Sequence, residues 1–179
     1  VKEIPFEFSS VEDHLGSFIF PLVDDTRAEL CSSLERIKDL PSAGIVMKKS
    51  KRQSCGYDVR IRFWETEYIV DYDKSDAVHV GDLVIISTLR PNQVSDLGRY
   101  GAAYFLALVT DVPEDMEFRR MLSIKASKCM KLTGGEEKFT SLKILMNLTT
   151  IKRIHTALKM QYANVNLKII RNVLRVKSW

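Results

Sequence analysis

The side chains able to do chemistry are mostly cationic. Lys48, Lys49, Lys51 and Arg52 crowd one turn, Arg60 and Arg62 alternate beside Trp64, Arg90 and Arg99 bound a polar loop, and Lys152 and Arg153 open a late helix. Cations spaced along a strand or turn can neutralise successive phosphates, and interleaved aromatics can stack bases. That makes these ten residues the candidate single-strand contacts. The plainer reading of Arg60, Arg62 and Trp64, which share one predicted sheet face, is a solvated surface with Trp64 covered by a helix. For the basic turn and the loop the two readings stay level.

Nucleophiles and metal ligands are poorly placed. His14 follows Glu12 and Asp13, His79 stands beside Gly81-Asp82, and His155 lies in a basic helix. None has a Cys, Ser or second His at catalytic or metal spacing, so all three read as structural or surface residues. Cys31, Cys55 and Cys129 are odd in number and far apart. They read as small buried hydrophobes suited to a reducing compartment, and none pairs at zinc spacing. Asp24-Asp25 fits the first turn of a helix, and Glu114-Asp115 fits a turn after Pro113. There is no G-x-x-x-x-G-K-[ST] loop. Gly98-x-x-Gly101 is too short for a dinucleotide fingerprint and precedes a strand. The expectation is a binding domain with no catalytic residues, no metal and no cofactor of its own.

Composition agrees with a folded binding domain. The chain has 179 residues, 45% hydrophobic and 28% charged, which suits one core with or without a helical appendage. No window of roughly 18 apolar residues offers a membrane span, so no membrane partner is expected. The chain begins with Val and shows no signal peptide, and reads as a piece of a longer intracellular protein, nuclear or cytoplasmic. Charge is uneven. From Arg119 to Trp179 there are 14 Lys and Arg against two acids, while residues 1–118 hold 13 bases and 21 acids. Such asymmetry suits one anion-facing side, or two halves that neutralise each other.

These residues need elements to hold them. Ser9-Ser10-Val11-Glu12 forms a capping box for a helix running from near Ser10 toward Phe20. Pro21 ends or kinks it and suits the start of a second helix, Leu22 to Lys38, with Val23, Leu30, Leu34 and Ile37 on one face. Asp24 and Asp25 in its first turn, and Arg36 and Lys38 in its last, suit the helix dipole. From Pro41 the period becomes β. Strands are predicted at Ala43 to Lys48, Tyr57 to Trp64, Glu67 to Tyr72, Leu83 to Leu89, Ala102 to Val109, Arg119 to Lys125 and Phe139 to Leu148. In Tyr57 to Trp64, alternation puts Tyr57, Val59, Ile61 and Phe63 on one face and Asp58, Arg60, Arg62 and Trp64 on the other. Thr149 or Thr150 caps a helix from Ile151 to Met160 with Ile151, Ile154, Ala157 and Leu158 inward, and a last helix spans Asn166 to Val176. The predicted class is α+β: a small antiparallel β-barrel of about six strands bracketed by helices at both termini. Residues 1–41 form the N-terminal arm and helices, 42–148 the barrel, and 149–179 the C-terminal helices, with the first and last helical segments paired antiparallel.

The run from Ser10 to Leu34, SVEDHLGSFIFPLVDDTRAELCSSL, resembles the region upstream of the motor in plant senataxin-like superfamily 1 helicases, including relatives with UvrD-type cores. So do Tyr57-Asp-Val, Gly81-Asp82, Pro91 with Val94-Ser95-Asp96-Leu97, Lys125-Ala-Ser-Lys128, and Asn147-Leu-Thr-Thr-Ile-Lys-Arg-Ile-His-Thr-Ala-Leu158. The resemblance spans nearly the whole chain and is most specific at its end. It implies a non-catalytic accessory domain whose barrel is carried on the motor by stalk helices and regulates engagement of RNA or DNA. Leu22 to Lys38 and Ile151 to Met160 would be the stalk pair. ATP and Mg would belong to the motor, beyond these residues. Gly101-Ala-Ala-Tyr104 and the acidic stretch Glu65 to Ala77 depart from the bulkier, more basic pattern expected. The alternative is a protein-interaction module docking the helicase onto a partner, by the barrel or an edge strand.

Overall fold

The computed structural model describes residues 8–50, 54–64, 78–99, 103–113, 121–129, 136–137 and 141–159. Lys51, Arg52, the predicted strand at 67–72 and the predicted helix at 166–176 lie outside them. One antiparallel sheet holds β1 (Ser42–Lys49), β2 (Gly56–Trp64), β3 (Asp82–Ser87), β4 (Tyr104–Asp111), β5 (Met121–Ala126), β6 (Glu136–Glu137) and β7 (Ser141–Asn147). Their order is β2-β5-β4-β3-β7-β1-β6, and β1 also pairs with β2. Six strands therefore close into a barrel, and the short β6 pairs with Met47 and Lys48 of β1. With flanking helices α1 (Val11–Ser17), α2 (Ile19–Glu35) and α3 (Thr149–Lys159), this is the α+β class expected. Two compact units divide the chain. Leu30–Thr149 carries the barrel, and Val1–Glu29 joins Thr150–Trp179 in the other.

Alternation builds the barrel core. Ala43, Ile45 and Met47 of β1 and Tyr57, Val59 and Ile61 of β2 point inward with Val84, Ile86, Phe105, Val109, Leu122 and Ile124. Tyr57, Met47, Val59 and Val109 are wholly buried, and each such side chain contributes roughly 1.5–3 kcal/mol relative to exposure. The alternation breaks once in β2. Ile45 faces Ile61, but Gly44 faces Phe63, so Arg62 is one residue too many. A bulge of this kind reverses the facing of the strand residues beyond it. Trp64, expected outward with Arg60 and Arg62, packs partly against the core; Phe63, expected inward, is 48% exposed. Trp64 is covered, as the plainer reading had it, but from within the barrel.

The helices depart from the reading in detail. Ser10 caps α1 by accepting from the Asp13 N–H at 3.0 Å, one residue later than the predicted box. Helix α2 starts at Ile19, so Pro21 sits in its first turn, where a missing N–H breaks no helical bond. Asp24 and Asp25 consequently fall past the first turn, and Arg36 and Lys38 fall after the helix end. Val23 is exposed, and Ile37 is buried in the 3-10 turn Ile37–Asp39 that follows α2. On α3 the half-buried stripe is Ile151, His155 and Leu158, while Ile154 and Ala157, expected inward, are exposed. Asn147, not a threonine side chain, receives the first α3 amide: Thr149 N–H donates to Asn147 Oδ1 at 2.9 Å.

A polar knot ties the end of β7 and Thr149, the first residue of α3, to the start of β3. The Asp82 carboxylate accepts from His79 N–H at 2.7 Å and from Asn147 Nδ2 at 2.7 Å. Thr149 Oγ1 donates to the Val80 carbonyl at 3.2 Å, and Leu148 N–H donates to the Gly81 carbonyl at 2.8 Å. Gly81 has φ +94°, and a Cβ there would run into Thr149 Oγ1. Only glycine combines that backbone with that clearance.

The cysteines correct their reading most plainly. Cys31 is free and exposed, Cys129 is exposed, and Cys55 is half-buried. Cys55 and Cys129, 74 positions apart, are joined as a disulfide with their Cα atoms 4.5 Å apart. Sequence separation hid the pair, because only the β2–β5 pairing of Gly56 with Lys125 brings the two ends together.

Candidate nucleic-acid interface

The outward residues of β1, β2 and β5 make a groove. On β1 the outward positions are Gly44, Val46 and Lys48; on β2 they are Asp58, Arg60 and Arg62; on β5 they are Met121, Ser123 and Lys125. Register sets them side by side. Lys48 faces Asp58, Val46 faces Arg60, Arg60 faces Met121, and Asp58 faces Ser123. The groove has a volume of about 850 Å³ and is lined by Lys48, Lys49, Arg60 and Arg62, by Asp58 and Asp111, and by Val46, Met121 and Pro113. Four cations against two acids leave it positive. Lys48, Lys49, Arg60 and Arg62 meet no carboxylate within ion-pair distance among the described residues. Ser123 Oγ donates to Asp58 Oδ1 at 3.4 Å, which occupies one acid from within the sheet.

The bulge adds an aromatic to this surface. The Phe63 ring lies over Gly44, whose hypothetical Cβ would come within 2.5 Å of the ring's Cζ. Only the absence of a side chain at Gly44 lets the ring lie there. The Arg90 guanidinium stacks over the same ring, with Cζ 5.6 Å from its centroid. Phe63 was missed as a surface residue because strict alternation assigned it to the core. The available signal was a glycine inside a strand, which marks a bulge or a close approach.

The ten candidates therefore separate. Lys48, Lys49, Arg60 and Arg62 share the groove, and Arg90 joins Phe63. Arg99 is engaged in its own loop, where its Nη1 lies 3.7 Å from Asp96 Oδ1. That loop is organised around Asp96, which caps the 3-10 turn Val94–Gly98 and accepts from Asn92 N–H and Gln93 N–H, each at 3.0 Å, and from Gln93 Nε2 at 3.3 Å. The Asn92 amide chiefly holds the Asp96 carboxyl below its ordinary 3.8, against some desolvation, with Gln93 and the Arg99 charge assisting. Lys152 and Arg153 are exposed on α3, in the other compact unit. Among the described residues no group of three or more His, Cys, Asp or Glu is placed to hold a metal ion, and no helix is long and apolar enough to cross a membrane.

The whole chain, residues 1–179, matches the family described as Domain of unknown function (DUF6469), and it belongs to that family. No curated protein matches the sequence.

Proposed function

For this family member we propose a non-catalytic accessory role, in which the barrel helps a plant superfamily 1 helicase motor engage single-stranded RNA or DNA. The observation that carries the proposal is the β1–β2–β5 groove, where four cations with no carboxylate partner among the described residues stand beside the Phe63–Arg90 stack. Bases would stack on Phe63 while the backbone follows Lys48, Lys49, Arg60 and Arg62. The resemblance to senataxin-like helicases supports the motor as partner. The helices would carry the barrel on it, with exposed Phe20 and Val23 of α2 and Ile154 of α3 as apolar contacts. ATP and Mg would act in the motor, in a nuclear or cytoplasmic setting.

Fluorescence anisotropy with labelled oligothymidylate and oligouridylate tests the role. Four neutralised phosphates predict a log–log salt slope of about −3, so a fourfold rise in salt weakens binding roughly 50-fold. Absence of any salt-dependent binding at low ionic strength removes direct engagement. The specific observation favouring a protein-docking module instead is the mixed lining, where Val46, Met121 and Pro113 accompany Asp58 and Asp111. A protein partner whose capture survives high salt and nuclease selects that reading.

A further inference from the structure

The Cys55–Cys129 pair is tied to the groove through Gly56 and Ser50. Cys55 closes the β1–β2 connection, next to Gly56, whose carbonyl accepts from Ser50 N–H at 3.0 Å. Ser50 and its neighbour Lys49 line the groove. Cys129 follows β5, and the Cys55 carbonyl accepts from Ala126 N–H at 2.9 Å. Cys55 has φ +56°, the one positive φ at a non-glycine among the described residues. That left-handed backbone is held by the cross-link on one side and the Ala126 hydrogen bond on the other. The bond is reachable, because Cys129 is exposed and Cys55 is only half-buried. Exposed disulfides exchange with solution thiols, whereas interior ones resist them.

We infer that Cys55 and Cys129 form a reversible thiol–disulfide clasp that sets the order of the groove's end at Lys49 and Ser50. Its bearing on nucleic acid rests on the function proposed above. The oxidant is a low-molecular-weight disulfide of the glutathione class. The Cys129 thiolate attacks one of its sulfurs, forms a mixed disulfide and expels one thiolate. The Cys55 thiolate then attacks the Cys129 sulfur, forms the intramolecular bond and expels the second thiolate. The two cysteines give up two electrons and two protons, and the oxidant leaves as two thiols. Reduction frees Cys55 to leave the left-handed region, and the Ser50–Gly56 and Ala126–Cys55 hydrogen bonds loosen with it.

The test uses the 179-residue chain carrying Cys31→Ser, so that only the pair titrates. The chain is equilibrated in glutathione buffers from fully reduced to fully oxidised. Maleimide labelling counts thiols, and hydrogen exchange reads the Ser50 and Ala126 amides. The pair is expected to convert within the series, and both amides to exchange about tenfold faster in the reduced form, while the Ile86 amide in the core is unchanged. Adding Cys129→Ser should fix the fast exchange in every buffer. A disulfide that persists in all buffers, a pair that never forms, or exchange that ignores the thiol state each overturns the clasp. Oligothymidylate anisotropy on both forms is read alongside. If neither form binds while exchange still follows the thiols, the nucleic-acid reading falls and the clasp stands.

Discussion

The barrel carries two polar clusters of opposite character. In the knot of Val80, Asp82, Asn147 and Thr149, each named polar group points at another, and Asp82 is only 4% exposed. In the β1–β2–β5 groove, four cations project outward with no carboxylate within ion-pair distance among the described residues. The knot spends its hydrogen-bonding capacity on holding β3, β7 and Thr149 together; the groove keeps its charge available to a ligand. Several of the motifs on which the proposed helicase resemblance rests fall on the structural side. Gly81-Asp82 and Asn147 to Thr149 form the knot, Tyr57 is core, and Pro91, Asp96 and Leu97 shape the loop. Those residues build the scaffold, whereas the binding proposal rests on different ones.

The contrast can be broken by substitution. Gly81→Ala should have the largest effect, because it adds a Cβ at φ +94° against Thr149 Oγ1. About 3 kcal/mol or more of stability should be lost in urea denaturation, with the barrel failing to fold as the extreme outcome. Asp82→Ala strands the His79 and Asn147 donors and should cost about 2–3 kcal/mol by the same measurement. If either variant kept full stability, the knot would not be the structural half of the pair. Reversing charge in the groove with Arg60→Glu and Arg62→Glu should leave stability within about 0.5 kcal/mol. The same variant should lower oligothymidylate affinity tenfold or more and flatten the salt slope by about 1–2 units. A smaller change is expected from Phe63→Ala, an affinity loss of roughly fivefold to tenfold with the salt slope kept, since stacking is not ionic.

The loop sharpens the contrast by pH. The Asp96 carboxyl is held below its ordinary 3.8, so it stabilises the loop fully above that value and loses this contribution as the pH falls below it. Amide shifts of Asn92 and Gln93 followed by NMR should titrate there, and Asp96→Asn should abolish the transition.

Much of the barrel could be read from the chain because alternation is local. Val59, Ile61, Val84 and Ile86 declare their faces without reference to any partner. The features that escaped depend on a second strand. The bulge at Arg62 exists only in register with Gly44 and Ile45, and with it went the facing of Phe63 and Trp64. The cysteine pair needed the β2–β5 pairing. The start of α2 was misplaced because proline is tolerated in a first turn as readily as it ends a helix. Of the site, Arg60 and Arg62 followed from periodicity, and Lys48 and Lys49 from their crowding. Asp96 stands three residues before Arg99 in the chain, but that the guanidinium reaches this carboxylate depends on the 3-10 turn between them.

The extra residue in β2 acts as a parity switch. Up to Ile61 the odd-numbered residues of β2 enter the core, and past Arg62 the even one does. Removing Arg62 would restore plain alternation without changing either partner, leaving Phe63 opposite Gly44 and facing out, and Trp64 opposite Ala43 and facing in. A deletion of one codon would thereby take one cation from the groove while keeping the Phe63 ring beside Arg90, with the strand pairing below Ile61 left as it is.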